Sequence, residues 1–195
     1  MLTRLRPTSF LQLVRLAQCL ASVEGVGERA RIVAGDIFEA DLAQADVVTV
    51  FMGAEMNLCL RHRLLALRPG VRVVSYQFAM DDWEPDELAV VGTQATYLWT
   101  VPARVGGNWS FRQAGGGDLA FTVRLSQIFQ RIGGDVAFAG GRSALVGAAL
   151  HRDQIRFAFS DDKGVRQSFV GSLIAGRITC ELRAAGGAYT AVTGV

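Results

Sequence analysis

The stretch from Arg31 to Trp83 constrains the fold more than any other part of the sequence. It holds three short apolar, β-branched runs, Ile32–Val33, Val47–Phe51 and Val71–Ser75, and a helix-patterned segment separates the last two. Buried strands that alternate with helices predict a parallel sheet covered on both faces. Ligands of such sheets sit beyond the carboxyl ends of the strands. That rule puts Gly35-Asp36, Gly53-Ala54-Glu55 and Tyr76–Asp82 along one rim.

The flanks of this stretch fill in the first half. Pro7-Thr8-Ser9 is a helix start with a hydroxyl cap. Phe10, Leu13, Val14, Ala17, Leu20 and Ala21 then recur at three- and four-residue spacing, which predicts a core-packing helix that Gly25 and Gly27 stop. Ile32–Ala34 is the first expected strand. Met56–Leu67 is the next expected helix, with Met56, Leu60, Leu64 and Leu67 on one face, and Pro69-Gly70 ends it. Arg4 and Arg6 precede an apolar run, but Arg15 and Gln18 interrupt it, so neither a signal peptide nor a membrane span is expected.

Beyond Trp83 the texture changes. Glu84–Glu87 reads as a charged turn and Thr96–Val101 as a strand, and Pro102–Gly107 reads as a hinge. Past it, Leu119–Leu125, Ile155–Phe159, Phe169, Leu173–Leu182 and Tyr189–Val192 are strand candidates. Gly133-Gly134, Gly140-Gly141, Asp161–Gly164 and Gly186-Gly187 are the turns between them. That spacing predicts an antiparallel sandwich or barrel-like sheet. The expected fold class is α/β, with domains at 1–105 and 106–195.

A chain of 195 residues can bury a core without staples, and a net charge of +2 does not argue for nucleic acid. Three scattered cysteines and two histidines form no zinc pattern or disulfide framework, which predicts a reducing, cytoplasmic setting and no metal. There is no G-x-S-x-G nucleophile motif.

From Gly35-Asp36 onward the order of elements resembles class I S-adenosylmethionine-dependent methyltransferases. The matching features are a strand ending Gly-Asp-Ile, the Val47–Phe51 strand, a helix closed by Leu67-Arg68-Pro69-Gly70, and the Val71–Ser75 strand. Phe51–Leu58 and Phe78–Pro85 look closest to bacterial relatives of small protein-lysine methyltransferases, including those acting on the ATP synthase c subunit. The likeness covers roughly Val14 to Val105 and implies S-adenosylmethionine as cofactor. It implies that Asp36 meets the adenine amino group and Ile37 packs on the ring, with Gly35, Phe51, Met52 and Gly53 as further cofactor residues. Glu55, Asn57, Tyr76, Asp81, Asp82 and Trp83 are acceptor-channel candidates. For each of these an ordinary role is the competing reading: Asp36, Glu55 and Asn57 as caps, Asp81-Asp82 as a solvated turn, Trp83 as a junction seal.

The family's first motif, a strand followed by E/D-x-G-x-G-x-G, is not found. Gly25-Val26-Gly27 follows a helix, not a strand. The expectation is therefore an incomplete Rossmann-like sheet, truncated at its N-terminus, followed by an antiparallel β domain. An exposed sheet edge in such a chain predicts self-association. The methyl acceptor, a protein or a small molecule, is left open. The alternative is an inactive relic that works as a binding or assembly module. In that case Phe121, Phe157 and Phe159 line either a ligand cavity or an ordinary core.

Overall fold

The computed structural model describes residues 7–114, 119–184 and 189–194, and it resolves into two units, 1–41 and 42–195. No helix among the described residues is long and apolar enough to cross a membrane.

In the first unit, helix α1 (Pro7–Val23) forms as the periodicity predicts. Gly25, at φ 67°, follows it, and its N–H donates to the Ser22 carbonyl. The apolar face is not packed. Phe10, Leu13 and Leu20 are about half exposed, and only Ala21 is buried among the described side chains. Ile32–Ala34 is not a strand either. A strand exists only where its backbone groups meet a ladder partner, and here the Ile32 carbonyl accepts from the Gln18 side chain instead. The Gly35-Asp36 bend follows. The Phe38 N–H donates to Asp36 Oδ1 at 2.8 Å, and the Glu39 and Ala40 amides donate to the Asp36 carbonyl.

The second unit starts with strand β1 (Val47–Val50), helix α2 (Ala54–Leu64) and strand β2 (Arg72–Tyr76), the expected βαβ order. β1 and β2 pair in parallel, with Val48 opposite Val73 and Val50 opposite Ser75. The sheet then departs from expectation. Strands β3 (Glu87–Val91) and β4 (Gln94–Thr100) form a hairpin, and β4 pairs antiparallel to β2, giving the order β1-β2-β4-β3. β3 lies just after the expected turn. It escaped notice because all five of its residues are exposed and none signals burial. A fully parallel sheet covered on both faces is thus overturned: one pair is parallel, and α2 covers one face. α2 buries Asn57, Leu60 and Leu64, and it ends three residues before Leu67 in a turn. β1 stands at the sheet edge.

Nine strands follow: β5 (Gly107–Gln113), β6 (Ala120–Ile128), β7 (Arg131–Phe138), β8 (Gly141–Ala144), β9 (Val146–His151), β10 (Gln154–Ser160), β11 (Arg166–Ile174), β12 (Arg177–Ala184) and β13 (Tyr189–Gly194). Their order is β8-β7-β6-β5-β13-β12-β11-β10-β9, and every neighbouring pair is antiparallel. β8 and β9 are one segment bent at Leu145, whose N–H donates to the Gly134 carbonyl. The two ends of the sheet are therefore joined, and the sheet closes into an up-and-down barrel. Closure removes the open edges that a sandwich would keep.

Two expectations in this region are corrected. Gly133-Gly134 lies inside β7 and is not a turn. A Cβ on Gly134 would stand 1.8 Å from the Arg124 carbonyl oxygen, so close strand approach requires glycine there. Leu173–Leu182 is not one strand: it turns at Ala175-Gly176 between β11 and β12. Gly186-Gly187 lies outside the described residues.

Alternation along β6, β11 and β12 points one side of each strand inward. A barrel of about eight strands is just wide enough for side chains to fill. Phe111, Phe121, Val123, Leu125, Val136, Ile155, Phe157, Phe169, Ile178 and Leu182 are all buried in one cluster. The rings of Phe157 and Phe169 stack at 4.2 Å, and those of Phe111 and Phe121 at 5.1 Å.

Candidate functional site

The carboxyl ends of β1 and β2 lie side by side, because the two strands are parallel neighbours in register. Three aromatic rings gather there. Phe51 meets Tyr76 edge-on at 5.2 Å and stacks on Phe78 at 6.3 Å. Phe51 is 66% exposed, so this apolar shelf faces solvent. Gly53 then turns the chain into α2 at φ 94°, a backbone angle that L side chains rarely adopt, with open space where a Cβ would be. Met52 lies between them, partly buried.

One helical turn on, Asn57 ties α2 to the end of β2. Its amide nitrogen donates to Ser75 Oγ at 2.9 Å and to the Phe78 carbonyl at 3.1 Å. Asn57 and Ser75 are both fully buried, and Asn57 Oδ1 has no hydrogen-bond partner among the described residues. Asn57 is thus a clamp on the shape of the strand end, and it does not face solvent. Glu55, on the first turn of α2, is exposed, and no side chain caps the helix.

The segment 77–84 leaves β2 through two non-glycine residues in the left-handed region, Gln77 at φ 64° and Asp81 at φ 55°. Such residues persist where neighbours hold them, and three groups do so here. The Gln77 N–H donates to the Ala95 carbonyl. Arg61 donates to the Met80 carbonyl, pairs with Asp82, and lies 5.6 Å from the centre of the Phe129 ring. Trp83 is fully buried, packs at a tilt against Trp99, stacks on Phe129, and donates through its indole N–H to Gln130 Oε1. Gln130 in turn donates to the Glu84 carbonyl, and Arg131 pairs with Glu84. Trp83 therefore seals the junction between the four-stranded sheet and the barrel. Asp81 is exposed.

Of the sequence-derived candidates in the second unit, Phe51, Gly53 and Tyr76 share the strand-end rim, and Asn57 and Trp83 brace it from inside. Ser75, Arg61 and Gln130 were missed. Arg61 was readable: it lies four residues after Asn57 and so shares its helical stripe. Its side chain is 25% exposed and lies against the Phe129 ring. Gln130 was not readable, because its partner lies 47 residues away. In the first unit, Gly35 and Asp36 are exposed and Ile37 is partly buried. Asp36 takes the capping role through Oδ1.

Residues 9–87 match the family model of the ANTKMT methyltransferase domain. Over 80 residues the chain is 42% identical to a protein-lysine N-methyltransferase of Saccharolobus islandicus (strain REY15A), covering 40% of this chain and 50% of that protein. Residues 9–87 form a methyltransferase-like segment. A crystal structure of an RNA methyltransferase from Salinibacter ruber, in complex with S-adenosyl-L-homocysteine, is 37% identical, covers 48% of this chain and 62% of its own, and has a TM-score of 0.47. The chain spans about half the length of the curated relative it matches. The methyltransferase-like segment starts within α1, contains β1, α2 and β2, and ends at the start of β3.

Proposed function

We propose that this chain is an S-adenosylmethionine-dependent methyltransferase acting on a protein lysine. The 42% identity over 80 residues to a protein-lysine N-methyltransferase carries the reading. In this reading the boundary at Pro102–Gly107 separates the working half, 1–105, from the barrel.

Taken unit by unit, with no placement of one against the other, each carries residue types that suit part of the cofactor's adenosine end. Asp36 uses Oδ1 for its own turn, which leaves Oδ2 to accept from an exocyclic amine. Ile37 follows as the aliphatic cover, with Gly35 before it. Phe51 offers an exposed ring face, and Gly53 leaves space open beside the backbone. S-adenosylmethionine supplies an already activated methyl on a sulfonium. The chain's own task is then to bind, align and exclude water. Asn57 and Ser75 fix the strand end, Arg61 fixes the 77–84 segment, and Tyr76 offers a phenol beside Phe51. Glu55 and Asp81 are exposed carboxylates that suit a cationic lysine side chain, whereas the exposed Asp82 is paired with Arg61.

The unpaired edge of β1 also supports self-association, because Val47–Val50 offers backbone donors and acceptors to another strand. Sedimentation should show mass rising with concentration, and a clean monomer would remove this part.

Calorimetric titration with S-adenosylmethionine tests the central proposal. Binding weakened by Asp36→Ala is expected, together with a stabilisation of roughly 2.7 kcal/mol at a hundredfold excess over the dissociation constant. No heat and no thermal shift from a folded chain would overturn it, and would favour the reading in which the barrel alone binds.

A further inference from the structure

We propose that one mouth of the barrel is a binding site for a small, flat aromatic molecule carrying a protonated amine. The two ends of the barrel differ. One end is plugged: Ala103 and Val105 are fully buried in the core cluster, the Ala103 N–H donates to the Arg152 carbonyl, and the Trp109 indole donates to the Val105 carbonyl. The other end, where β7 and β12 finish and β10 turns into β11, holds a hollow of about 440 Å³. Sites for small molecules run from about 300 to 1,000 Å³, favour barrel mouths, and combine an apolar lining with a few polar groups.

This hollow has that composition. Phe121, Phe159 and Leu182 are buried and form its inner apolar wall, and Phe138 is partly buried beside them. Aromatic walls suit a flat ring. Gln113, Gln167, Asp161, Asp162 and Lys163 supply the polar rim. Asp161 is spent on its own loop. It accepts from the Lys163 and Val165 amides through Oδ1 and from the Gln167 side chain through Oδ2. The loop is therefore preformed. Asp162 is exposed, and its carboxylate has no hydrogen bond or ion pair among the described residues. Its Cβ lies against the β7–β8 turn: a Cβ on Gly140 would approach it to 2.7 Å. One carboxylate is thus held beside the mouth and left unmatched. Lys163 offsets the other, so the rim is net acidic and complements a cation.

The test uses the full chain and two naphthalene probes of opposite charge. Dansylcadaverine carries an ammonium, and 1-anilinonaphthalene-8-sulfonate carries a sulfonate. Saturable fluorescence enhancement is expected with dansylcadaverine. Ala139→Trp, which places an indole in the mouth at an exposed turn, should abolish it while circular dichroism and melting temperature stay unchanged. Phe138→Ala should weaken binding about tenfold and serves if the tryptophan variant misfolds. Asp162→Asn should weaken dansylcadaverine and not the sulfonate. Three results would overturn the proposal: no saturable binding, binding undiminished in a folded Ala139→Trp chain (as for capture on the exposed face of α1), or a sulfonate that displaces dansylcadaverine and binds more tightly.

Discussion

Gln127, near the end of β6, makes four hydrogen bonds with one side chain. Its Oε1 accepts from the Val105 amide at 2.7 Å and the Gly106 amide at 3.0 Å, and its Nε2 donates to the Ala103 and Phe129 carbonyls, each at 2.8 Å. It staples the 103–106 connector to the barrel. Gln127→Leu keeps most of the volume and removes all four bonds. Gly106 is exposed and Phe129 is partly exposed, so water can replace two of them. Ala103 and Val105 are fully buried, so their carbonyl and amide would be orphaned. An orphaned buried group costs about 1–3 kcal/mol, so two predict a loss of about 2–6 kcal/mol. That is a large part of the 5–15 kcal/mol of an ordinary domain. Urea unfolding followed by tryptophan fluorescence is the assay, and Trp109 reports locally because its indole bonds the Val105 carbonyl. Gln127→Glu separates hydrogen bonding from volume. It keeps the volume and the acceptor for the two amides but loses both bonds that Nε2 donates, so a stability equal to the parent's would mean that volume, not hydrogen bonding, sets the effect. A Gln127→Leu loss under about 0.5 kcal/mol at unchanged urea slope would refute the reasoning.

Three further outcomes are expected. Gly134→Ala should lower stability by more than about 4 kcal/mol or prevent folding, because a contact of 1.8 Å to a ladder carbonyl cannot relax without parting β6 from β7; a soluble variant with an unshifted melting temperature would contradict this. Native alkylation should modify Cys19 and Cys59, which are exposed, and spare Cys180, whose thiol burial pushes up to about 12; mass spectrometry should show the third adduct only in denaturant. The Gln167 side chain, followed by the Val165 and Lys163 amides, holds Asp161 below the ordinary carboxylate value. Its stabilising effect is present above the unfolded pKa and is lost as pH falls through the folded one. Asp161→Asn should therefore lower the melting temperature at pH 7 and converge with the parent in acid; an equal gap at both ends would remove the carboxylate from the account.

Legibility followed how much of each element is decided by near neighbours. β1, α2 and β2 were readable because nearly continuous apolar strands and the apolar spacing of Leu60 and Leu64 carry local signals, although α2 ends at Leu64, short of Pro69-Gly70. The alternating strands β6 and β10 were readable for the same reason. Ile32–Ala34 has the composition of a strand but no ladder partner, and composition cannot supply one. Gly133-Gly134 looks like a turn because glycine is common in turns; here the demand is for strand approach, and the atom that sets it belongs to Arg124, ten residues earlier. Barrel closure was hidden most completely. It depends on a single bend at Leu145 that lets one segment serve both ends of the sheet, and nothing in the side chains of 141–151 announces which strand each half will join.

The candidate site divides along the same line. Glycine at 53 and the aromatic residues at 51, 76 and 78 can be read from the chain. Their support comes from the barrel side: Phe129, Gln130 and Arg131 hold Trp83, Glu84 and Arg61. The β6–β7 turn thus fixes a segment of the four-stranded sheet that carries two left-handed residues and follows directly from a β2 strand end. That coupling makes the barrel more than an appended domain. A substitution at Gln130 touches no rim residue, yet it removes bonds to the Trp83 indole and the Glu84 carbonyl together. Whatever binds at the strand ends, its affinity should respond to Gln130→Ala through the freedom of residues 77–84, with hydrogen exchange at those amides rising first. Unchanged exchange there would show that Arg61 and Asn57 suffice to hold the segment from the helix side.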